Sequence, residues 1–393
     1  MMKIKLKKIA KVLSGSTAPK DNEFSENNGK PFIRAGHLEE LCNGKSLMEL
    51  PKIEESVAQN RKMVLVPENT ILFAKSGMSI LKNRVYKTTH EAYIVNHLAA
   101  IICSNEIEPD YLYYFFRANP PSRLVLDSSY PSIRLSDIGE IDIDLPSKAI
   151  QKKISKLLKQ AEEIIFKRKA QIEALDQLTQ SVFLEVFGDP ATNPKKWPMG
   201  FIKDLALKTQ YGTSKKASED TGKYPILRMN NITYEGHWDL TDLKYVDLDD
   251  KEVEKYLVHK GELLFNRTNS KELVGKTAVY RFEKPMAFAG YLVKVIPNEK
   301  ANAEFISAYL NSKYGKSILF SMAKNIVGMA NINAEELKSI KIYIPPKQLQ
   351  DQFAEIVQKI ESQRELFKKG LVELEKNFNS LMQRAFKGEL FND

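Results

Sequence analysis

Residues 146–187 read PSKAIQKKISKLLKQAEEIIFKRKAQIEALDQLTQSVFLEVF, and residues 345–386 read PPKQLQDQFAEIVQKIESQRELFKKGLVELEKNFNSLMQRAF. The two stretches align without a gap when Pro146 is placed on Pro345. The matched pairs are Lys148 with Lys347, Ile150 with Leu349, Gln151 with Gln350, Ile154 with Phe353, Leu157 with Ile356, Leu175 with Leu374, Ser181 with Ser380 and Phe187 with Phe386. A long segment that occurs twice indicates an internally duplicated chain.

Both stretches have the pattern of a long amphipathic helix. From Ile150 onward the apolar residues recur at helical spacing and form a broad stripe on one face. A helix of about 40 residues is about 60 Å long, and a stripe of that length exceeds what a compact domain of ~150 residues can cover. We therefore expect the two helices to pair as an antiparallel coiled coil. The alternative is that each helix covers only the core of its own domain.

The residues expected along the seam of this pair share an inward-facing position in the helical pattern. They are Ile154, Leu157, Leu158, Ile165, Leu175 and Val182 in the first helix, and Phe353, Ile356, Ile360, Phe367, Leu374 and Leu381 in the second.

The duplication extends into the residues that precede each helix. Residues 31–34 (PFIR) return as residues 225–228 (PILR), and residues 71–76 (ILFAKS) return as residues 263–268 (LLFNRT). Short β-type runs separated by turn residues dominate both halves, with a short helix over 110–117 and its counterpart over 303–311. The fold class predicted is α/β (α+β): two globular domains joined by two long helices that form an antiparallel coiled coil, with a pseudo-twofold internal repeat.

The expected boundaries follow from the composition of the connecting segments. Residues 189–194 (DPATNP) contain two prolines and no apolar run, so they end the first helix. The predicted division is residues 1–147 for the first domain, 148–188 for the first helix, 189–195 for the linker, 196–346 for the second domain, and 347–393 for the second helix and tail.

Composition limits the classes of protein to be considered. The chain has 393 residues with an apolar share of 43%, its two cysteines Cys42 and Cys103 are far apart, and no run approaches the ~18 apolar residues of a membrane span. We expect an intracellular, cytoplasmic protein with no membrane association. The formal net charge of +9 favours a polyanionic partner, although charge alone does not establish one.

Catalytic and cofactor motifs are nearly absent. No GxxxxGK[ST] phosphate loop occurs, the five histidines are scattered, and no cofactor or metal site is expected. Residues 119–122 (NPPS) resemble the Asn-Pro-Pro-aromatic loop with which amino-methyltransferases hold a flipped adenine. The fourth residue is Ser122 rather than an aromatic ring, and no glycine-rich turn for a methyl donor follows any apolar strand. A non-catalytic chain is expected, with a stand-alone DNA methyltransferase as an alternative.

Basic residues cluster at equivalent places in the two halves. Residues 61–90 contain six basic residues and one acid, and residues 260–281 contain five basic residues and two acids. Lys and Arg can neutralise phosphates and bond guanine, and Asn can read adenine. The predicted DNA-binding residues are Lys20, Arg34, Lys75, Ser76, Lys82, Asn83 and Arg84 in the first half, and Lys215, Lys216, Arg228, Arg267, Asn269 and Lys276 in the second.

Taken together, these motifs resemble the DNA-specificity subunit of type I restriction-modification systems over nearly the whole chain. The resemblance rests on the loop from Gly15 to Pro19, the Pro-x-Ile/Leu-Arg strands, the ILFAKS-type segments, and the Ile-x-Ile-x-Leu/Ile-Pro-x-Lys-x-x-Gln motif that leads into each helix. The second copy of the first loop departs from the pattern, because Lys215 and Lys216 stand where a proline is expected.

The resemblance implies a specific biological role. Two target-recognition domains would each read one half of a split double-stranded DNA site. The antiparallel helices would act as a spacer and dock adenine-N6 methyltransferase (modification) subunits, expected to be two, and restriction subunits. A coiled-coil scaffold for protein interactions is a further alternative, and it does not require salt-sensitive binding to duplex DNA.

Overall fold

The computed structural model describes residues 2–326 and 329–391. It divides into two compact units: residues 1–168 with 370–393 form the first, and residues 169–369 form the second. Each unit therefore contains one globular part and a portion of both long helices. Met1, residues 327–328 and residues 392–393, which the predicted domains include, lie outside the described residues.

The globular part of the first unit consists of short strands and short helices. In chain order they are β1 (Met2–Lys5), α1 (Leu6–Ile9), β2 (Ala10–Ser14), β3 (Lys30–Ile33), α2 (His37–Cys42), β4 (Lys52–Ile53), α3 (Glu55–Asn60), β5 (Leu65–Val66), β6 (Ile71–Ala74), β7 (Val85–Lys87), β8 (Ala92–Ile94), β9 (Leu98–Cys103), α4 (Pro109–Ala118), α5 (Leu135–Gly139) and β10 (Asp142–Leu145). The first long helix, α6 (Lys148–Phe187), follows and continues into the second unit.

The second unit has a similar but longer series of elements. They are β11 (Met199–Phe201), β12 (Ala206–Tyr211), β13 (Tyr224–Leu227), β14 (Lys244–Val246), α7 (Asp250–Tyr256), β15 (Leu257–Val258), β16 (Leu263–Asn266), β17 (Thr268–Asn269), β18 (Thr277–Val279), β19 (Met286–Phe288), β20 (Leu292–Pro297), α8 (Ala303–Asn311), α9 (Lys313–Met322), β21 (Lys324–Ile326), β22 (Met329–Asn331), α10 (Ala334–Lys338) and β23 (Lys341–Tyr343). The second long helix, α11 (Lys347–Phe386), begins here and ends in the first unit.

The sheets confirm the internal repeat. Sheet order β2-β9-β6-β7 in the first unit corresponds to β12-β20-β16-β18 in the second, and β4-β3-β8-β5 corresponds to β14-β13-β19-β15. In each copy one neighbouring pair is parallel, β3 with β8 and β13 with β19. The two-stranded pairs β1-β10 and β11-β23 also correspond, whereas the sheet β17-β22-β21 has no counterpart among the described strands of the first unit.

The glutamine of the repeated Pro-x-Lys-x-x-Gln motif links each long helix to its globular part. Gln151 is 1% exposed; its Oε1 accepts from the N–H of Glu108 (2.8 Å) and its Nε2 donates to the carbonyl of Pro146 (2.9 Å). Gln350 makes the same contacts, accepting from the N–H of Asn302 (2.9 Å) and donating to the carbonyl of Pro345 (2.8 Å). The residues Glu108 and Asn302 are the N-caps of α4 and α8. One buried side chain therefore satisfies backbone groups of two elements, which are costly to leave unpaired.

The two long helices run antiparallel where they pack in the second unit. Arg364 Nε lies 2.7 Å from Asp176 Oδ1, and the rings of Phe183 and Phe353 are 5.8 Å apart. Residue numbers therefore fall along α11 as they rise along α6. In the first unit, Leu158 of α6 and Phe378 of α11 lie in one hydrophobic core.

The ends of the helix pair are continuous with the cores of the globular parts. Ile154, Leu158 and Phe353 are at most 2% exposed and belong to the same clusters as the sheet and helix residues of their units. Further along, Leu157, Ile165, Leu175, Val182, Phe367, Leu374 and Leu381 are half-buried, and Ile360 is buried. Ile356 is 38% exposed and lies at the margin of the seam. The helices thus pair with each other and also cover the cores of their own units.

Among the described residues, no helix has both the length and the apolar character needed to cross a membrane.

Candidate nucleic-acid interface

Polar residues from four chain segments of the first unit gather at one end of the sheet β2-β9-β6-β7. The N–H of Lys75, just after β6, donates to the carbonyl of His97 (2.9 Å), and Ser76 Oγ is hydrogen-bonded to His97 Nδ1 (2.6 Å). The N–H of Asn96 donates to the carbonyl of Ser16, after β2 (2.9 Å). We call the group Ser16, Arg34, Lys75, Ser76 and His97 the first polar edge. Arg34 is included because its neighbour Ile33 is hydrogen-bonded to the turn that contains His97. The carbonyl of Ile33 accepts from the N–H of Val95 (3.0 Å).

The second unit repeats this arrangement with different side chains. The N–H of Arg267, just after β16, donates to the carbonyl of Tyr291 (3.0 Å), and the N–H of Gly290 donates to the carbonyl of Thr213 (2.8 Å). Arg228, after β13, is placed as Arg34 is in the first unit, because Leu227 accepts from the N–H of Ala289 (2.9 Å). We call Thr213, Arg228, Arg267 and Tyr291 the second polar edge.

Neighbouring groups fix the side chain of Arg267, but not all of its guanidinium N–H groups have hydrogen-bond partners among the described residues. Its guanidinium carbon lies 4.9 Å from the centroid of the Tyr211 ring, and Nη1 donates to the carbonyl of Gly290 (3.3 Å). Its Nε is buried and has no hydrogen-bond partner among the described residues. An aromatic face positions the planar guanidinium without neutralising its charge, so the group remains able to bond an anion or a base edge.

A separate segment lies against each edge. In the first unit, Ile133 donates its N–H to the carbonyl of Lys75 (2.9 Å) and Gly77 donates to the carbonyl of Pro131 (2.9 Å), so the preceding loop runs beside the edge. That loop exposes Leu126 completely and Tyr130 by 85%. In the second unit, Ile332 donates to the carbonyl of Arg267 (2.9 Å), and β22 pairs with β17.

Many of the clustered cations are neutralised within the protein. Glu39 of α2 accepts from both Lys82 (3.3 Å) and Arg84 (2.5 Å). In the second unit, Lys215 pairs with Glu252 (2.5 Å) and Arg228 pairs with Asp242 (2.7 Å). Arg34 lies 3.6 Å from Asp21, with its guanidinium carbon 5.0 Å from the centroid of the Phe24 ring. By contrast, the described residues place no carboxylate at ion-pair distance from Lys75, Lys216, Arg267 or Lys276.

The remaining predicted residues have mainly local roles in the structure. Lys20 caps the short 3₁₀ turn over 21–23, and its N–H donates to Glu23 (2.7 Å). Asn83 adopts a left-handed conformation (φ 49°) and accepts from the N–H of Ser122 (3.4 Å). Asn269 lies on β17 and accepts from the N–H of Ser270 (2.9 Å).

The Asn-Pro-Pro-Ser segment is the end of a helix. Asn119 is the C-cap of α4; its Nδ2 donates to the carbonyl of Phe115 (3.2 Å), and its Oδ1 accepts from Arg123 (3.2 Å). Its amide is thus occupied on both sides by neighbouring residues. Within residues 2–326 and 329–391, no group of three or more His, Cys, Asp and Glu side chains is arranged to hold a metal ion.

The sequence patterns gave no weight to His97, Tyr130 and Tyr291. The scattered histidines, His97 among them, support neither a metal site nor a histidine-based triad, and the two tyrosines lie outside the basic clusters. A signal was present, because His97 and Tyr291 occupy equivalent places just before the buried strands β9 and β20. Each lies in a turn that is hydrogen-bonded to the two neighbouring segments of its polar edge.

Comparison with known proteins identifies the family. The family model for the type I restriction modification DNA specificity domain matches residues 1–174 and again residues 194–376. The chain belongs to this family. The model matches twice, once for each half, as the internal repeat requires.

Individual relatives of the family differ in how much of the chain they cover. The type I restriction enzyme EcoKI specificity subunit of Escherichia coli K12 is 23% identical over 97% of this chain and 87% of its own length. Two specificity subunits of Methanocaldococcus jannaschii are 29% and 32% identical over about half of this chain, and the chain spans only 47% and 42% of their lengths.

Solved structures of the family share the fold. The S subunit of a type I restriction-modification system from M. genitalium aligns with a TM-score of 0.57 at 15% identity, covering 98% of this chain and 96% of that one. A chain from a study of complex assembly and conformational transition in the type I system aligns with a TM-score of 0.60 at 16% identity, covering 99% and 98%. The relatives are specificity subunits, and this confirms the expected class of non-catalytic specificity subunit.

Proposed function

We propose that this chain reads a bipartite double-stranded DNA site, with the first polar edge contacting one half-site and the second polar edge contacting the other. The observation that carries the proposal is the recurrence of the edge. The same end of the same sheet gathers Lys75, Ser76 and His97 in one unit, and Arg267, Thr213 and Tyr291 in the other. A shared scaffold with different side chains is suited to reading two different short sequences.

The chemistry of the two edges is suited to DNA. Lys75 and Arg267 supply positive charge that no carboxylate in the described part of the chain pairs with, and such groups neutralise phosphates or bond guanine in the major groove. Ser76 and His97 add short polar groups that can donate or accept. The exposed ring of Tyr130 beside the first edge can contact a sugar or a base.

The long helices are proposed to separate the two edges and to dock other subunits. Several apolar side chains on them are exposed, among them Phe166 (68%) and Val372 (63%) in the first unit and Leu366 (61%) in the second. Exposed apolar groups of this size favour protein contacts. We assign them to the docking of modification subunits, expected to be two, which would carry the adenine-N6 methylation, and of restriction subunits.

The proposal is tested by selecting DNA from a random duplex library with the full chain bound to its modification subunits. We expect the selected sequences to share two short conserved blocks separated by a constant, unconserved spacer. Binding should weaken steeply as salt concentration rises. Recovery of DNA without a common motif would refute sequence recognition, and a protein-interaction scaffold would then be the better interpretation.

A further inference from the structure

A pocket of about 350 Å³ lies beside the second polar edge. It opens between α9 and the segment that leads into β18. Its lining includes three lysines, one carboxylate and three large apolar or aromatic side chains: Lys271, Lys276, Lys316, Glu272, Tyr234, Leu273 and Phe320. All of these residues belong to the second unit.

Strand pairing brings the pocket to the same end of the sheet as Arg267. The N–H of Asn266, the last residue of β16, donates to the carbonyl of Lys276 (2.8 Å), and β16 pairs with β18. Arg267, just after β16, and Lys276, just before β18, therefore flank adjacent strands of the sheet β12-β20-β16-β18. The pocket therefore lies at the same end of this sheet as the proposed DNA-reading edge.

Lys276 is a buried cation that has no ion-pair partner among the described residues. It is 9% exposed, and the described residues place no carboxylate at ion-pair distance from its ammonium group. Burial lowers the pKa of Lys276, and the more distant charge of Glu235 opposes that shift only in part. Burying an unpaired charge is costly, so the site is electrostatically incomplete as it stands.

Aromatic rings lie against the other two lysines. Lys316 Nζ lies 3.1 Å from the centroid of the Tyr234 ring and donates to the carbonyl of Tyr234. Lys271 Nζ lies 4.5 Å from the centroid of the Phe320 ring. Burial lowers the pKa of Lys316 to about 8. Cation–π contacts place an ammonium group while leaving its charge uncompensated.

The first unit arranges the cations before the corresponding strand differently. Arg84 directly precedes β7 as Lys276 directly precedes β18, and Lys82, two residues before Arg84, is exposed and pairs with Glu39 (3.3 Å). Arg84 contacts the same carboxylate at 2.5 Å. In the first copy of the repeat one carboxylate serves both cations at this place, whereas in the second copy three lysines and one carboxylate, Glu272, line the pocket.

We propose that the Lys271–Lys276–Lys316 pocket binds one phosphate group of the DNA backbone and anchors the second unit beside its half-site. This inference rests on the proposed function and deepens it. Two or more ammonium groups around one cavity match the charge of a phosphate, and the exposed rings of Tyr234 and Phe320 (47% each) can cover the adjoining sugar. A free nucleotide carries the same phosphate chemistry and is the other source to be tested.

The test measures how the affinity of the full chain with its modification subunits for the selected duplex depends on salt concentration. Loss of one phosphate contact reduces the slope of log K against log salt by about 0.9. We expect this reduction in Lys276→Met and also in Lys316→Met, with the selected sequence unchanged. Lys82→Met is the matched control and should leave the slope unaltered, because Glu39 already neutralises that lysine.

A second arm locates the phosphate and controls for misfolding. Replacing single phosphates of the duplex by neutral methylphosphonates should weaken wild-type binding at one position where the Lys316→Met variant shows no further loss. Thermal unfolding of both variants checks their structure. If Lys276→Met does not fold, the result for Lys316→Met, whose side chain is only half-buried, decides the question.

The possible results distinguish failure of the phosphate-pocket assignment from failure of the proposed DNA recognition. If the wild-type complex binds duplex with a steep salt slope and both variants retain that slope, the pocket assignment is wrong while DNA reading stands. If the wild type shows no salt-dependent duplex binding, both proposals fail. If calorimetry detects ATP or inorganic phosphate binding that Lys276→Met abolishes, while the DNA slope is unchanged, the ligand is a free nucleotide or phosphate and the DNA assignment is overturned.

Discussion

At the scale of single residues, the charges available for a ligand are those that the protein has not already paired. Lys75 and Arg267 occupy equivalent positions just after β6 and β16, and neither has a carboxylate at ion-pair distance among the described residues. Lys82 and Arg84 are close in sequence to Lys75, but both contact Glu39. The electrostatics therefore distinguish residues that sequence clustering treats alike.

This distinction predicts different effects of alanine substitutions. Lys75→Ala and Arg267→Ala should each weaken specific DNA binding by about 1–3 kcal/mol, because a direct phosphate or base contact is lost. Lys82→Ala should weaken specific DNA binding much less than either of these substitutions, because Lys82 is already paired with Glu39. Fluorescence anisotropy with the selected duplex at fixed salt measures all three. Equal losses for Lys82 and Lys75 would contradict the assignment.

Another residue-scale prediction concerns the buried His237. It is 6% exposed; Nε2 lies 2.9 Å from Asp176 of α6, and Nδ1 lies 3.1 Å from Glu361 of α11. Burial opposes protonation, but hydrogen bonds to the two carboxylates outweigh it and raise the pKa of His237. Hydrogen bonds from His237 also lower the pKa of Asp176 and of Glu361, against the effect of burial.

The sign of the pH dependence follows from these shifts. A raised histidine pKa stabilises the folded state fully below about pH 6.5 and loses that effect as pH rises through the folded-state pKa. The lowered carboxylate pKa values contribute above about pH 4.5, and that contribution is lost as pH falls. The cluster, which also includes Arg364, Arg281 and Glu304, should therefore be most stabilising between about pH 5 and 6.5.

His237→Gln should lower the unfolding free energy of the second unit by about 3 kcal/mol near pH 6, and by less near pH 8. Both tryptophans, Trp197 and Trp238, lie in the second unit, so their fluorescence during urea unfolding reports this unit. Exposed His90→Gln is the control and should have no such effect. If the loss of unfolding free energy in His237→Gln were larger at pH 8 than at pH 6, the assignment of a protonated His237 would be contradicted.

At the scale of secondary-structure elements, the sequence predicted the scaffold better than the edges. The helical stripes and repeated motifs predicted both long helices and the duplication, because periodicity and capping are local properties. The pairing of cations could not be predicted, since the acidic partners come from distant segments. Glu39 lies 43 residues from Lys82, and Glu252 lies 37 residues from Lys215. His97 and Tyr291 were missed because only the folded sheet brings them beside Lys75 and Arg267.

The long helices also carry a prediction about docking. Phe166→Ser and Leu366→Ser should weaken association with the modification subunits, because each removes exposed apolar area from α6 or α11. Both side chains are largely in solvent, so folding should change little. Pull-down of the modification subunits measures the loss. Lys167→Ser, next to Phe166 on an exposed position, is the matched control. Unchanged recovery in both apolar variants would remove these residues from the docking surface.

At the scale of the whole molecule, the account assigns the two helices the role of a spacer. Inserting one heptad into α6 and one at the equivalent place in α11 keeps the phase of each stripe and lengthens the pair by about 10 Å, or about three base pairs of DNA. The spacer between half-sites should lengthen accordingly, while the half-sites stay the same. Selection from the random duplex library measures both quantities. A spacer that does not respond would refute this role.

The central claim is that each unit reads its own half of one split DNA site. It is tested most directly by mapping methylated adenines across a genome in cells that carry the chain and its modification subunits, and in cells that lack the chain. The account predicts one motif with two short blocks at a fixed separation, present only with the chain, and predicts that Arg267→Ala alters one block alone. A continuous motif, or methylation that does not depend on the chain, would contradict it.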